Sequence, residues 1–207
     1  MRLFKTLALL LAVLAAAFFM GGAAHAQNRA PQAEAFINTQ IQSGLDILKN
    51  NALTPGQRAA QFQNFLLGVT DIKRTALFTL GRYAAKASPA DQEGFVQAFQ
   101  NYAVAVYRSY FMMYSGQSLA VTGSQARSAD DAIVTTTMTD PSAKTALKID
   151  FRVRTDGPAP VITDIGFGGI WLALAQRDDF NSFLGQHQGD VTALAANLNA
   201  RAGTFKQ

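Results

Sequence analysis

The chain has no cysteine, two histidines and one tryptophan among its 207 residues. Without cysteine there is no disulfide frame, no thiolate nucleophile, no cysteine-bound metal and no thiol to carry a lipid anchor. His25 falls in a segment expected to be removed, and His187 stands alone in a stretch rich in glutamine and glycine, so neither has a companion ligand for a metal. Charged residues make up only 15% of the chain, and no run of lysine or arginine gathers its +4 formal charge, which argues against a nucleic-acid partner. The serines show no nucleophile elbow, and Gly166-Phe167-Gly168-Gly169 lacks the lysine and the spacing of a phosphate loop.

Long apolar runs are equally scarce, and the clearest is Leu7 to Met20. Arg2 and Lys5 precede it, Gly21-Gly22 ends it, and Ala24-His25-Ala26 supplies small residues around a cut before Gln27. At about 1.5 Å per residue the run reaches roughly 21 Å, short of the ~30 Å hydrocarbon core of a bilayer. Residues 1–26 are therefore expected to be a cleaved signal peptide and residues 27–207 a single domain, exported to the periplasm of a Gram-negative bacterium. Its loss takes two basic residues and no acid, so the clue in the overall charge is weak.

The remaining sequence reads as a helical half, a stranded half and a helical tail. Phe36, Ile37, Ile41, Leu45 and Leu48 recur at helical steps over Ala33 to Leu48. Thr54-Pro55 predicts an N-cap with proline in the first turn of a second helix, and Asp71 caps a third that runs to Leu80. Ser88-Pro89 opens the longest helix, to about Tyr114, with Asp91 and Glu93 in its first turn. That helix carries two neighbouring apolar stripes, one with Phe95, Phe99, Tyr102, Val106 and Tyr110, the other with Val96, Ala103, Tyr107 and Phe111. Two stripes mean either a helix packed on two sides or one that lines a cavity.

From Ser118 the period changes to two. Leu119 and Val121, then Ile133 to Met138, then Leu147 to Val153 and finally Val161 to Phe167 predict four strands, with Asp130-Asp131, Asp140-Pro141 and Asp156-Gly157 at the turns. The third alternates Leu147, Ile149, Phe151 and Val153 with Lys148, Asp150, Arg152 and Arg154, and the charged row is expected to face water. In the fourth, Val161, Thr163, Ile165 and Phe167 share one face. After Gly168-Gly169 the helical pattern returns at Ile170 and Trp171 and ends with Val191, Leu194 and Leu198. The expected fold is α+β: a four-stranded antiparallel sheet covered on one face by helices from both chain ends, with an apolar cavity between the layers. The only catalytic reading left is a lone buried carboxylate, Asp164 or Asp71, acting as a base.

The stretch Asp71 through Leu80-Gly81-Arg82-Tyr83, Ser88 to Phe95, Phe99 to Tyr107, the run Val161 to Ile170, then Phe180, Phe183, Gly189-Asp190-Val191 and Leu194 resembles the MlaC/toluene-tolerance family of periplasmic lipid-binding proteins. Pro160 and Trp171-Leu172 depart from the family's pattern and leave room for its hopanoid-associated branch, HpnM. The resemblance implies a non-enzymatic carrier, without cofactor or metal, that shuttles phospholipid or a hopanoid-like lipid between outer and inner membranes. Its implied partners are an inner-membrane ABC lipid transporter and an outer-membrane lipoprotein complex. The tails are then expected against Phe65, Leu77, Phe78, Phe99, Val106, Tyr110, Ile149, Phe151, Ile165, Phe167, Ile170 and Trp171, with Lys73, Arg74 and Arg82 as head-group or partner contacts. A small-pocket enzyme and a ligand-free interaction module are the alternatives.

Overall fold

The computed structural model describes residues 29–112, 114–143 and 145–205, without the side chains of residues 110–112. The expected leader and the Tyr110 side chain therefore lie outside what is described. Helices α1 (Pro31–Lys49), α2 (Pro55–Val69), α3 (Ile72–Thr79) and α4 (Pro89–Met112) precede strands β1 (Ser118–Ser128), β2 (Asp131–Thr139), β3 (Leu147–Arg154), β4 (Val161–Phe167) and β5 (Ile170–Trp171). Helices α5 (Leu172–Gln186) and α6 (Val191–Thr204) complete the described chain.

Local chemistry sets the helix starts. Thr54 and Gln57 form a reciprocal capping box over Pro55, Asp71 accepts from the Arg74 amide, and Asp190 accepts from Ala193. At the head of α4, Ser88 and Asp91 exchange hydrogen bonds in the same reciprocal manner. His187 closes α5, its ring stacked on Phe183 at 3.9 Å between centroids.

The sheet is an antiparallel meander in the order β1-β2-β3-β4-β5. It has five strands where the alternation predicts four. Gly168 (φ +56°) and Gly169 (φ +88°) make a tight turn in the left-handed region that lays Ile170 and Trp171 back along Phe167 and Gly166. Helix α5 consequently starts at Leu172, later than its apolar pattern suggests.

A second departure sits in β4. Phe151 pairs with Ile165 and Arg152 with Asp164, but Val153 then pairs with Ile162, so one extra residue bulges out of β4. Because side chains alternate, that residue reverses the faces beyond it: buried Ile162, and not Val161, joins Val153 and Phe151 on the apolar side.

The charged row is also more enclosed than expected. Asp131 is only 7% exposed and Asp150 only 6%. Arg152 holds Asp131 through two hydrogen bonds of 3.0 and 2.8 Å, Arg154 reaches Asp130 and Asp156, and Arg74 of α3 grips Asp156 from the other side. Burial works against the Asp131 carboxylate, yet the bonded Arg152 guanidinium and the charges of Arg154 and Arg127 outweigh it and hold the carboxyl below its ordinary range. A depressed carboxyl contributes stability above its unfolded value near 3.9 and loses it as pH falls through the folded value. Asp131→Asn should thus cost about 1–3 kcal/mol at pH 7, with the gap to wild type closing below about pH 4 in urea titrations.

Apolar packing divides into two clusters. One is helical, with Leu80, Phe95, Phe99, Phe180, Leu184 and Leu198 drawn from the α3–α4–α5–α6 side. The other joins α1 to the sheet through Ala33, Ile37, Ile41, Val134, Val153 and Ile162.

Candidate functional site

The two clusters do not merge. Between them lies a cavity of about 770 Å³, partly open to solvent and lined by residues of both. The helical cluster contributes Ile72, Phe99, Tyr102, Ala103, Val106 and Tyr107, and the sheet contributes Met138, Leu147, Ile162, Ile165 and Phe167. Helix α2 supplies Phe62 and Leu66. Although α2 also carries Phe65, Leu67 and Val69, its only buried side chain is Ala59. A volume near 770 Å³ belongs to the ~300–1,000 Å³ range of sites that take an organic ligand, far above the voids of a close-packed interior.

Besides the hydroxyls of Tyr102 and Tyr107, the polar side chains of this wall come from two stretches of the fold. Thr70, Thr75, Thr163, Asp164 and Gln176 gather near the Val161 end of β4, where Thr75 donates to the Thr163 carbonyl at 3.0 Å. Tyr114, Gln117 and Asp140 gather where β1 begins and β2 ends, with Gln117 donating to Asp140 at 2.7 Å. Among the described residues the Tyr114 hydroxyl, buried there, has no hydrogen-bond partner, a group that a ligand oxygen would satisfy.

Asp164 is the one wall carboxylate with a raised pKa. Burial is the main cause, partly offset by the amides of Ala173 and Ile165, which donate to its Oδ1 at 2.9 and 2.8 Å. The residue before α5 is Trp171, which cannot cap, so Asp164 reaches across from β4 to satisfy the second helical amide. This is a helix-capping arrangement, and the raised pKa means that ionisation is penalised in the folded state. Asp164→Asn retains the acceptor and should stay within about 1 kcal/mol of wild type, whereas Asp164→Ala should lose about 0.5–2 kcal/mol in thermal melts. As pH rises through the unfolded value toward the folded one, wild type should lose stability relative to Asp164→Asn.

Of the side chains expected against the tails, Phe99, Val106, Ile165 and Phe167 line the cavity. Ile149 and Phe151 share the same sheet face, where Ile149 is buried and Phe151 packs on the α1 cluster. Phe65 lies against α1 at Gly44, and Leu77 packs on the helical cluster. Phe78 is exposed beneath the Arg177 guanidinium, 5.0 Å from its ring centroid. Ile170 projects outward, and Trp171 rests on Gly166 on the charged side of the sheet. Among the basic residues, Arg74 is held by Asp156, Arg82 stacks on Tyr83, and Lys73 is exposed on α3 beside the cavity-lining Ile72. The wall residues outside that set include Tyr102, Ala103 and Tyr107, which the two stripes of α4 had already marked.

Among the described residues no group of histidine, cysteine, aspartate or glutamate is placed to hold a metal, and no helix is long and apolar enough to cross a membrane. A solved phospholipid-binding protein from Ralstonia solanacearum, determined in complex with a phospholipid, superposes with a TM-score of 0.75. It is 22% identical in sequence, and the match covers 84% of this chain and 99% of that one, a likeness of fold. A family model described as MlaC protein matches residues 38–200, so the chain belongs to the MlaC family.

Proposed function

We propose that this protein is a periplasmic lipid carrier that holds acyl chains of a phospholipid in the cavity between its two apolar clusters. The observation that carries the reading is the cavity itself: an open space of about 770 Å³ lined on both walls mainly by rings and aliphatic chains. Family membership and the fold shared with a phospholipid-binding protein support it.

The energetics favour partial enclosure. Each buried methylene contributes about 0.8 kcal/mol, so one chain with about 14 of them gains roughly 11 kcal/mol before costs. Full burial of about 30 would gain on the order of 24 kcal/mol, beyond the ~18–21 kcal/mol at which non-covalent affinity saturates. A carrier that must release its cargo is better served by an open cavity. Spontaneous loss to water is still slow, so exchange takes place at a membrane or a docked protein. In this reading the protein is the soluble component of an ABC-type lipid transport system, receiving or delivering lipid at an outer-membrane lipoprotein complex and an inner-membrane transporter. Phe99, Val106, Ile165 and Phe167 contact the tails, and the Tyr114 hydroxyl meets an oxygen of the ester or head-group region.

Transfer of a fluorescent phospholipid between donor and acceptor vesicles tests this. The protein should accelerate transfer in proportion to its concentration. No acceleration, together with no lipid in organic extracts of the protein, would sink the proposal.

A further inference from the structure

None of the described residues lining the cavity is a lysine or an arginine, whereas Asp140 and Asp164 both belong to its wall. Lys148, next to the lining Leu147, is paired with Asp150 on the charged side of the sheet, at 3.0 Å. One oxygen of Asp164 already accepts the Ile165 and Ala173 amides as a helix cap. Asp140 is differently placed. Its Oδ1 accepts from the Ser142 hydroxyl and amide at 2.6 and 2.7 Å. Among the described residues its Oδ2 accepts only from Gln117 Nε2, at 2.7 Å, which leaves a lone pair for a further donor. The Ser142 bonds and that of Gln117 hold the carboxyl below its ordinary range, so it is charged at neutral pH, and no described cation offsets it. Gln117 is itself fixed: its Oε1 accepts from the Ser115 amide at 2.8 Å, and its Nε2 also donates to the Ser115 hydroxyl at 3.1 Å. Tyr114, with its buried and unpartnered hydroxyl, directly precedes this turn. The wall beside Asp140 is apolar, with Met138 and Leu147 opposite each other across β2 and β3.

A hydroxyl without a partner and a charged carboxylate without a cation, both on a wall that is otherwise hydrocarbon, match a ligand that offers an oxygen to the one and an N–H to the other. We infer that Tyr114, Gln117 and Asp140 form a head-group subsite that selects a zwitterionic phospholipid with a primary ammonium. Tyr114 donates to an ester or phosphate oxygen, Asp140 accepts from the ammonium, and Gln117 positions the carboxylate. Discrimination comes from what the competitors lack. An anionic glycerol head group brings negative charge toward Asp140 with no described basic side chain on the wall to offset it, and a choline head group has the positive charge but no N–H to donate. The inference rests on the carrier reading and adds the class of head group that the cavity takes.

Competition among head groups tests it. The purified protein is equilibrated with excess vesicles of phosphatidylethanolamine, phosphatidylglycerol and phosphatidylcholine in equal parts, all with the same acyl chains, then re-isolated and its bound lipid measured by mass spectrometry. Wild type should hold phosphatidylethanolamine about threefold to fivefold over each of the others at low ionic strength, the discrimination of one solvent-screened ion pair. Asp140→Asn keeps an acceptor for the Ser142 amide but loses the charge, and should bring the three toward equal amounts. Tyr114→Phe removes a hydroxyl that bonds no described residue; the melting temperature should hold, while apparent affinity for all three falls alike, by about threefold to tenfold, with their ratio unchanged. The wild-type ratio decides by itself should either variant fold poorly. Bound lipid in the vesicle proportions, a preference that survives Asp140→Asn, or unchanged affinity of Tyr114→Phe would overturn the inference and leave the carrier reading standing. Absence of any bound lipid would remove both.

Discussion

Val106→Trp should leave the protein folded and nearly empty of lipid. Val106 lies on α4, half-buried, with its side chain on the cavity wall near Ala103 and Tyr107. An indole there occupies space that acyl carbon would otherwise fill; displacing on the order of five methylenes forfeits about 4 kcal/mol, roughly a thousandfold in affinity. The two outcomes separate cleanly. In a solid core the added ring would force neighbours off their rotamers and cost about 1–3 kcal/mol. With real space between the clusters, the melting temperature holds or rises while lipid in organic extracts falls. A destabilised variant with unchanged lipid content would contradict the arrangement described here.

Phe180→Ala should cost about 3–5 kcal/mol, a large share of the ~5–15 kcal/mol that holds a domain of this kind. Phe180 is fully buried on α5, and its ring meets Phe95 and Phe99 edge-on, at 6.0 and 6.4 Å between centroids. Each edge-to-face contact adds about 0.5–1.5 kcal/mol to the area term, and the void left behind loses the packing of the whole ring. Phe99 also forms cavity wall, so loosening its support should weaken cargo retention in parallel with stability. Urea unfolding reads the first effect; a loss below about 1.5 kcal/mol would mean that the helical cluster is not organised around this ring.

Where the fold was legible, the signal was local. Thr54-Pro55, Asp71 and Ser88-Pro89 act through hydrogen bonds within a single turn, and each caps the helix expected of it. The strand alternation likewise needs only its own residues. The bulge that turns Ile162 inward is decided by pairing with β3, and the β5 strand by the path through Gly168 and Gly169, so neither has a local mark beyond the glycines.

Helix α3 shows why part of the candidate site was obscure. Its inward face is Ile72, Thr75, Ala76 and Thr79, a row that apolar counting undervalues. The two threonines sit there because their hydroxyls donate to the Thr163 and Ala76 carbonyls, at 3.0 and 2.7 Å. Leu77 and Phe78, the larger apolar residues, are consequently turned elsewhere, Phe78 to the surface beneath Arg177. The ion-pair side of the sheet is a related case: alternation places Asp131 and Arg152 on one face, but only the register shows that arginines from neighbouring positions fold over the acid and enclose it.

The central claim is that the helical and sheet clusters are kept apart by hydrocarbon that the chain itself does not provide. Native mass spectrometry of the purified protein, before and after solvent extraction, tests it most directly. The account predicts a mass increment of one or a few lipid species that disappears on extraction, with no change in the polypeptide mass. A single unliganded species in both samples, with no shift on incubation with phospholipid vesicles, would contradict it.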